Sequence, residues 1–341
     1  MPTDTPALPP REPGLPLVAH SSLPAFGRLR EEGVDVSEAH PDLDDLRIGL
    51  LDLMPDAALA ATDRQFLRLV SGYTDRANLY VFPFTLAAGH RSQTAQTYVF
   101  DHYAEFDDLR EMGLDALIVT GANQAHFELR DEPFWDGLAA VFDWADSSVH
   151  STLCSCLATH ALLEHRALLK RARLPEKRWG VYQHAIVTEG HPLLQGLQAP
   201  IEAPHSHWFD MTREEMEAIG LTVLVLGDEA GVHMASSSDG FRYVFFQGHP
   251  EYDDISLLKE YEREVSRFLD GEREYPPFPD NYFDEATRAV LDEYRKAVES
   301  GGGRPEFPEE AVMRRWRPTW FAQGQTIYAN WLAEVHRRVR S

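Results

Sequence analysis

The sequence of 341 residues predicts an α/β fold in which a largely parallel central sheet, with some antiparallel strands, is flanked by helices. Short segments that are almost wholly apolar alternate with segments of helical periodicity, which is typical of parallel strands buried on both faces. Late in the chain, Ser238-Asp239-Gly240 joins two further apolar segments. That turn sequence is typical of a hairpin, so we expect antiparallel strands there.

The elements follow in order along the chain. Residues 1–22 contain six of the 22 prolines and few large apolar side chains, which predicts a disordered or surface-draped lead. The segment 47–53 is predicted as the first strand, because Met54-Pro55 stops its continuation. A helix is expected over 62–72, capped by Thr62 or Asp63. Segments 79–84 and 116–122 are predicted as the next strands, and 132–145 as a helix.

The second half ends in helices. Thr212 and Glu215 form a capping-box pattern, so a short helix should begin there. Helices are also predicted over about 253–269 and over 320–339. The last is amphipathic, and we expect it to pack on the main domain or across a dimer interface. Residues 23–341 are therefore predicted to be a single domain.

Composition excludes several classes of protein. The chain has 55 acidic and 32 basic residues, a net charge of −23, which argues against non-specific binding to nucleic acid or to anionic membranes. No apolar run of about 18 residues is present, so no transmembrane segment is expected. The N-terminus has neither a basic start nor an apolar core, and the two cysteines are one residue apart. These features predict a cytoplasmic protein without a disulfide framework.

The chemistry is expected at Cys156, where a β-branched apolar run turns directly into a helical pattern. The start of a helix lowers the pKa of a thiol and offers N–H groups to an oxyanion. Farther along, an apolar run ends in His249 and Glu251, which would supply a base and the carboxylate that orients it. Cys154 should lie inside the sheet as a core residue.

Two other groups of side chains are candidates for binding a ligand. A basic cluster over 166–178 is a candidate for binding an anionic substrate, but a solvated helix end would have the same composition. Four histidines follow at 160, 184, 205 and 207, with no spacing typical of metal ligands, so no metal site is predicted.

The chain resembles the homoserine O-acyltransferase family of methionine biosynthesis, of the homoserine O-succinyltransferase type, whose fold is class I glutamine-amidotransferase-like (flavodoxin-like). The similar stretches run in family order from about residue 24 to 340: Leu53-Met-Pro, Gln65-Phe-Leu-Arg-Leu, Ile118-Val-Thr-Gly-Ala, Ser151-Thr-Leu with Cys156, Glu176-Lys177, Gly180-Val-Tyr with His184, Ala203-Pro-His-Ser206, Gly248-His-Pro-Glu-Tyr-Asp253 and Asn330-Trp-Leu.

The resemblance implies roles for individual residues. Cys156 would accept the acyl group of an acyl-CoA as a thioester, His249 would be the general base, and Glu251 would orient it. Lys177, Ser206 and Arg263 fall at positions that contact the amino-acid substrate. The resemblance also implies that acyl-CoA and L-homoserine are the substrates, with no further cofactor, and a homodimer is expected.

The acyl donor is predicted from Ala125, three residues after Thr-Gly-Ala. In the family, glutamate at this position accompanies acetyl-CoA and glycine accompanies succinyl-CoA. A small neutral side chain leaves room for the succinyl carboxylate and does not repel it. Succinyl-CoA is therefore favoured, with acetyl-CoA as the alternative donor and serine as the alternative acceptor.

Several residues depart from the family pattern. The usual Asn-Leu-Met-Pro begins here with Asp52, and the elbow carries Leu157 and His160 in place of tryptophan and glutamine.

Two other classes of protein are alternatives. A glutamine-hydrolysing amidotransferase or cysteine hydrolase would share the cysteine, histidine and glutamate, but normally has glycines around its cysteine. A non-catalytic binding protein of the same fold would not need all three.

Overall fold

Eleven strands form one sheet in the computed structural model, which describes residues 17–40, 43–73, 77–86, 91–300, 304–313 and 320–341. The strands are β1 (Leu17–Val18), β2 (Val36–Ser37), β3 (Asp44–Leu53), β4 (Ala77–Phe84), β5 (Ala116–Ala122), β6 (Ser151–Ser155), β7 (Ala172–Ile186), β8 (Ile201–Asp210), β9 (Thr222–Gly227), β10 (Gly231–Ser236) and β11 (Tyr243–Phe246). The helices are α1 (Pro24–Glu31), α2 (Leu59–Val70), α3 (Gln93–His102), α4 (Phe106–Met112), α5 (Trp135–Ser148), α6 (Leu157–Ala167), α7 (Arg213–Ala218), α8 (Ser256–Leu269), α9 (Glu285–Glu299), α10 (Glu309–Met313) and α11 (Phe321–Val339).

The sheet has a parallel part and an antiparallel part. Its order is β2-β1-β4-β3-β5-β6-β11-β10-β9-β7-β8. Neighbours from β2 to β11 pair in parallel, and those from β11 to β8 pair antiparallel. The predicted turn at Ser238-Asp239-Gly240 joins β10 and β11. The prediction of a largely parallel α/β sheet with some antiparallel strands is confirmed.

Two hydrophobic cores lie on opposite faces of the sheet, because successive side chains of a strand point to opposite sides. Leu50 of β3 packs with Phe66 of α2 and Trp331 of α11 in one core. Its neighbour Leu51 packs with Leu138 of α5 and Leu162 of α6 in the other. The C-terminal helix therefore packs on the sheet of its own chain. Every parallel strand near the site is thus covered on both faces.

A third cluster of buried side chains supports the antiparallel part. It joins Trp179 of β7 to Tyr261 of α8 and Leu291 of α9. Gly180 of β7 permits a close approach here, since a β-carbon on it would lie 2.2 Å from the carbonyl oxygen of Asp280. This packing fixes α8 beside β7 and β8. Among the described residues, no helix combines the length and the hydropathy needed to cross a membrane.

Three local expectations need correction. Residues 1–16 of the predicted lead lie outside the described residues, but Leu17 and Val18 form β1 and are buried, because they are the apolar pair after the proline-rich part. Helix α2 begins at Leu59 with Ala58 as its cap, and Thr62 and Asp63 are buried inside it.

The basic cluster is the third correction. Helix α6 ends at Ala167, and Leu168 adopts a left-handed conformation. Three of its six basic residues, Arg173, Lys177 and Arg178, therefore lie in β7 and not at a helix end.

Candidate active site

Cys156 occupies a sharp turn between β6 and α6. Its φ is 50° and its ψ is −110°, a conformation that L-residues rarely adopt. Its backbone N–H donates to the carbonyl oxygen of Phe246 over 2.7 Å, and the hydroxyl of Thr159 donates to the same oxygen over 2.9 Å. The neighbouring strand β11 therefore holds the turn in place. The thiol is partly exposed, whereas Cys154 is fully buried, as predicted, and burial raises its pKa.

His249 and Glu251 follow β11 and form a buried pair. His249 Nδ1 lies 2.8 Å from Glu251 Oε1, and the Ser155 hydroxyl donates to that oxygen over 3.3 Å. Burial alone would lower the pKa of His249, but the charges of Glu251 and Cys156 raise it well above its ordinary value. Nε2 of His249 forms no hydrogen bond of ordinary geometry with the described residues. That nitrogen is therefore available for proton exchange.

A cavity of about 370 Å³ brings the predicted residues together. Cys156 and His249 line it, together with Met54, Pro55 and Gly121 from the ends of other parallel strands. A β-carbon on Gly121 would lie 3.6 Å from Cβ of Cys156, so this backbone passes directly beside the thiol. The cavity lies at the carboxyl ends of the strands, where α/β proteins bind ligands.

Glu260 of α8 is a residue of this cavity that the sequence reasoning missed. Its carboxylate accepts from the Ser206 hydroxyl over 2.6 Å, from the Lys177 ammonium over 3.0 Å and from the Tyr252 hydroxyl over 2.8 Å. Burial would raise the pKa of Glu260, but these partners lower it below its ordinary value. The available signal was spacing, since Glu260 and Arg263 are three residues apart and share one face of α8.

Cations surround the cavity. Arg263 lines it with a side chain that is 58% exposed, and so do Lys177, Arg171 and Arg267. Of the predicted basic cluster, Arg171 and Lys177 thus reach the cavity. Others pair with acidic groups elsewhere: Arg166 with Asp143 and Asp146, Lys170 with Glu128, and Arg178 with Asp210.

Ala125 lies in an exposed turn beside the cavity. Its backbone N–H donates to Oε1 of the buried Glu132 over 2.8 Å, as does that of His126. Its neighbour Gln124 lines the cavity, but Ala125 is not among the lining residues. A role of Ala125 in acyl choice stays a prediction.

A second cavity, of about 640 Å³, adjoins the first. The two share Lys177, Trp208, Glu264 and Arg267. Arg173 and Arg273 add positive charge to the second. Glu176, Glu264 and Asp280 line it as well, and Glu264 pairs with both Arg267 and Arg273.

A thiol on an elbow at the end of a covered parallel sheet, beside an imidazole that a carboxylate orients, is typical of α/β enzymes that form an acyl intermediate on a cysteine, hydrolases and transferases alike. A sequence model of the family described as homoserine O-succinyltransferase matches residues 16–340. The chain therefore belongs to the homoserine O-succinyltransferase family.

Individual relatives agree with this assignment. The homoserine O-succinyltransferase of Thiothrix nivea is 51% identical over 332 residues, covering 95% of this chain and 92% of the relative. That of Allochromatium vinosum is 49% identical over 332 residues, covering 95% and 93%. Among solved structures, a glutamine amidotransferase from Methylobacillus flagellatus aligns with a TM-score of 0.48 and 14% identity, covering 86% of this chain and 95% of that one.

Proposed function

We propose that the protein transfers the succinyl group of succinyl-CoA to the hydroxyl of L-homoserine, through a thioester on Cys156, in methionine biosynthesis. The observation that carries the proposal is the shared cavity of Cys156 and His249, with Glu251 bonded to the far side of the imidazole. The names of the relatives supply the two substrates.

In the first half-reaction, the proton of the Cys156 thiol passes to Nε2 of His249, and the thiolate attacks the carbonyl carbon of succinyl-CoA. Thr159 and His160 donate their backbone N–H groups to the carbonyl oxygen of Cys156, so the two N–H groups before them in α6 are the ones proposed to stabilise the oxyanion. The carbon–sulfur bond to CoA then breaks, and the His249 imidazolium protonates the departing thiolate. The products are free CoA and a succinyl thioester on Cys156.

In the second half-reaction, His249 removes the proton from the hydroxyl of homoserine. The oxygen attacks the thioester carbonyl, the bond to Cys156 sulfur breaks, and the His249 imidazolium returns the proton to the Cys156 thiolate as O-succinyl-L-homoserine leaves. A raised pKa suits His249 for both steps, since the imidazolium first donates a proton and the imidazole later accepts one.

Homoserine, the acyl acceptor, would bind next to Glu260. Lys177 and Ser206 are held by the Glu260 carboxylate, and Arg263 of the same helix faces the cavity. Arginine can bind the carboxylate of an amino acid through two hydrogen bonds. The buried carboxylate of Glu260 can bind the ammonium group of the same amino acid. These residues are therefore proposed to position homoserine against the thioester.

The second cavity would hold the CoA moiety. Arg173, Arg267 and Arg273 line it, and CoA carries several phosphate groups. Trp208 stands between the two cavities, where a thioester chain would pass. Ala125 adds no charge near the acyl end, and this supports succinyl-CoA over acetyl-CoA.

The test is an intact-mass measurement of the purified protein after incubation with succinyl-CoA in the absence of homoserine. We expect a succinyl adduct that maps to Cys156, is absent from Cys156→Ala, and is released when homoserine is added. Parallel reactions with acetyl-CoA and with serine should be slower. Absence of an adduct from either CoA thioester would contradict the proposal, and ammonia release from glutamine would favour a hydrolase.

Three accompanying proposals concern the whole protein. We expect a homodimer, a cytoplasmic location and activity without a cofactor other than the acyl-CoA substrate. Light scattering on the purified protein tests the first, since a molar mass near the 38.7 kDa of one chain would contradict a dimer.

A further inference from the structure

Four histidines form a buried cluster behind the segment that carries His249. His184 lies on β7, His205 and His207 on β8, and His233 on β10; none is more than 6% exposed. A β-carbon on Gly248 would come within 2.7 Å of ring nitrogens of both His205 and His233. The cluster therefore packs directly against the residue before His249.

Three of these rings form a chain between two backbone carbonyl groups. His207 Nδ1 lies 2.7 Å from the carbonyl oxygen of Phe209, and His207 Nε2 lies 3.0 Å from His205 Nδ1. His205 Nε2 lies 3.1 Å from His184 Nε2, and His184 Nδ1 lies 3.1 Å from the carbonyl oxygen of Ile201. If each contact were a hydrogen bond, the chain would need four protons.

Three neutral imidazoles carry only three N–H protons. Carbonyl oxygens only accept, so Nδ1 of His207 and Nδ1 of His184 must both be protonated. Nε2 of His207 is then an acceptor, and it accepts a hydrogen bond from Nδ1 of His205, which carries the third proton. As a result, Nε2 of His205 and Nε2 of His184 face each other as two lone pairs, 3.1 Å apart.

A third nitrogen points to the same place. His233 Nδ1 is buried and has no hydrogen-bond partner among the described residues. Ligand atoms of His184, His205 and His233 all lie within 4.8 Å of one another. Two opposed lone pairs and an unpartnered nitrogen thus converge on one point, where a cation would satisfy all three.

We propose that His184, His205 and His233 bind a divalent transition-metal ion of the Zn²⁺ type, contrary to the prediction that the protein has no metal site. Imidazole nitrogen is a preferred ligand of Zn²⁺, and three histidines are a common ligand set. The ring nitrogens of His184 and His205 that face away from the metal already donate to Ile201 and His207, which fixes both tautomers.

The ion would join β7, β8 and β10 beneath Gly248, and so would hold the backbone that carries His249. A fourth proton on these three imidazoles could also supply the missing hydrogen bond. It would satisfy only the contact between His205 and His184, however, and would leave His233 Nδ1 without a partner. One metal ion engages all three nitrogens, and the inference does not depend on the proposed acyl transfer.

The test uses full-length protein purified without a metal-affinity tag, exposed to Zn²⁺ and passed through a desalting column. Cys156→Ala is the background, because the active-site thiol and His249 could otherwise bind zinc themselves. We expect mass spectrometry to find about one zinc ion per chain, with a shell of nitrogen and no sulfur in X-ray absorption. Adding His233→Gln should lower the zinc content about tenfold or more.

His160→Gln in the same background is the matched control. His160 is also buried, but its ring bonds to Oε1 of Gln247 over 2.8 Å, and it is not one of the three proposed ligands. The zinc content of this variant should therefore stay near one ion per chain. Protein that retains no zinc, or zinc that survives His233→Gln, would overturn the proposal. If His233→Gln does not fold, the absorption spectrum of the Cys156→Ala protein decides, since sulfur ligands or fewer than three imidazoles also overturn it.

Discussion

The Ser206 hydroxyl donates to Glu260 Oε2 over 2.6 Å, and this short bond ties β8 to α8 at the floor of the cavity. Lys177 Nζ reaches the same oxygen over 3.0 Å from β7. Two residues proposed to contact the acceptor are thus positioned by one carboxylate. The proposed acceptor site would therefore depend on Glu260 as well as on the residues that the family pattern identifies.

Glu260→Gln should weaken acceptor binding and spare the first half-reaction. A hydrogen bond to a charged group contributes about 1.5–3 kcal/mol, so we expect KM for homoserine to rise about 10–100-fold. Formation of the succinyl adduct, followed by intact mass, should change about threefold or less, because Glu260 is not proposed to contact the acyl group.

Glu262→Gln is the control for this prediction. Glu262 lies on the same helix, but its carboxylate bonds to Lys259 at the surface. Its KM for homoserine should match that of the wild type. Loss of the adduct in Glu260→Gln with an unchanged KM would show that Glu260 serves the donor and not the acceptor.

Glu251→Gln should move the pH dependence of acylation. Burial lowers the pKa of His249, and the charge of Glu251 is the largest influence that raises it. Without this charge the imidazolium loses its proton at lower pH, so the alkaline limb of CoA release should shift downward. The rate at neutral pH should fall about 10²–10⁴-fold, because the imidazole is no longer oriented and its acid form is depleted.

Ser155→Ala is the matched comparison. It removes a bond of 3.3 Å to the same oxygen of Glu251 but leaves the charge in place. We expect a rate loss of about tenfold or less and an alkaline limb at the wild-type position. An alkaline limb that does not move in Glu251→Gln would contradict the proposed pairing.

Much of the fold could be predicted from periodicity. Segment 116–122 became β5 with the predicted bounds, because a strand buried on both faces is uniformly apolar. The capping box at Thr212 formed both of its bonds, because that motif needs only residues three positions apart. The predicted start of α2 was wrong, because Thr62 and Asp63 resemble capping residues in the sequence but are both buried inside the helix.

The site was predictable only where one segment supplies the chemistry. Cys156 is identified by the elbow that its own neighbours form, and only one residue separates His249 from Glu251 in the sequence. Glu260, by contrast, acquires its role from Lys177, 83 positions away, and from Ser206, 54 positions away. Such contacts depend on how strands and helices pack, and local pattern does not encode them.

Asp52→Asn should stabilise the protein at neutral and alkaline pH. Burial raises the pKa of Asp52 from 3.8 to about 6, although Met54, Tyr103 and Arg91 oppose the shift. For an acid with a raised folded-state pKa, the stabilising contribution is present below the unfolded value and is lost as pH rises through about 6. At pH ~8 the buried carboxylate then costs up to about 3 kcal/mol.

The amide carries no such penalty, and asparagine is the usual residue of the resembled pattern. We expect the free energy of unfolding in urea to rise by about 1–3 kcal/mol at pH ~8, and the gain to shrink toward pH ~4. Asp56→Asn is the control of opposite sign. The backbone N–H of Ser92 lowers the pKa of Asp56, so its removal should destabilise at neutral pH and have no effect in acid. A gain for Asp52→Asn that is independent of pH would contradict the assignment.

Replacement of Cys156 should reveal the strain of the elbow. Glycine adopts a φ of 50° readily, whereas alanine does not, so Cys156→Gly should be more stable than Cys156→Ala by about 1 kcal/mol in urea unfolding. The same pair at Cys154 should reverse the order, with glycine less stable by about 1 kcal/mol, because Cys154 is fully buried in a regular strand. Equal stability of the two Cys156 variants would show that the backbone of this turn is not strained. The bond to the Phe246 carbonyl oxygen would then not be needed to hold Cys156 in this conformation.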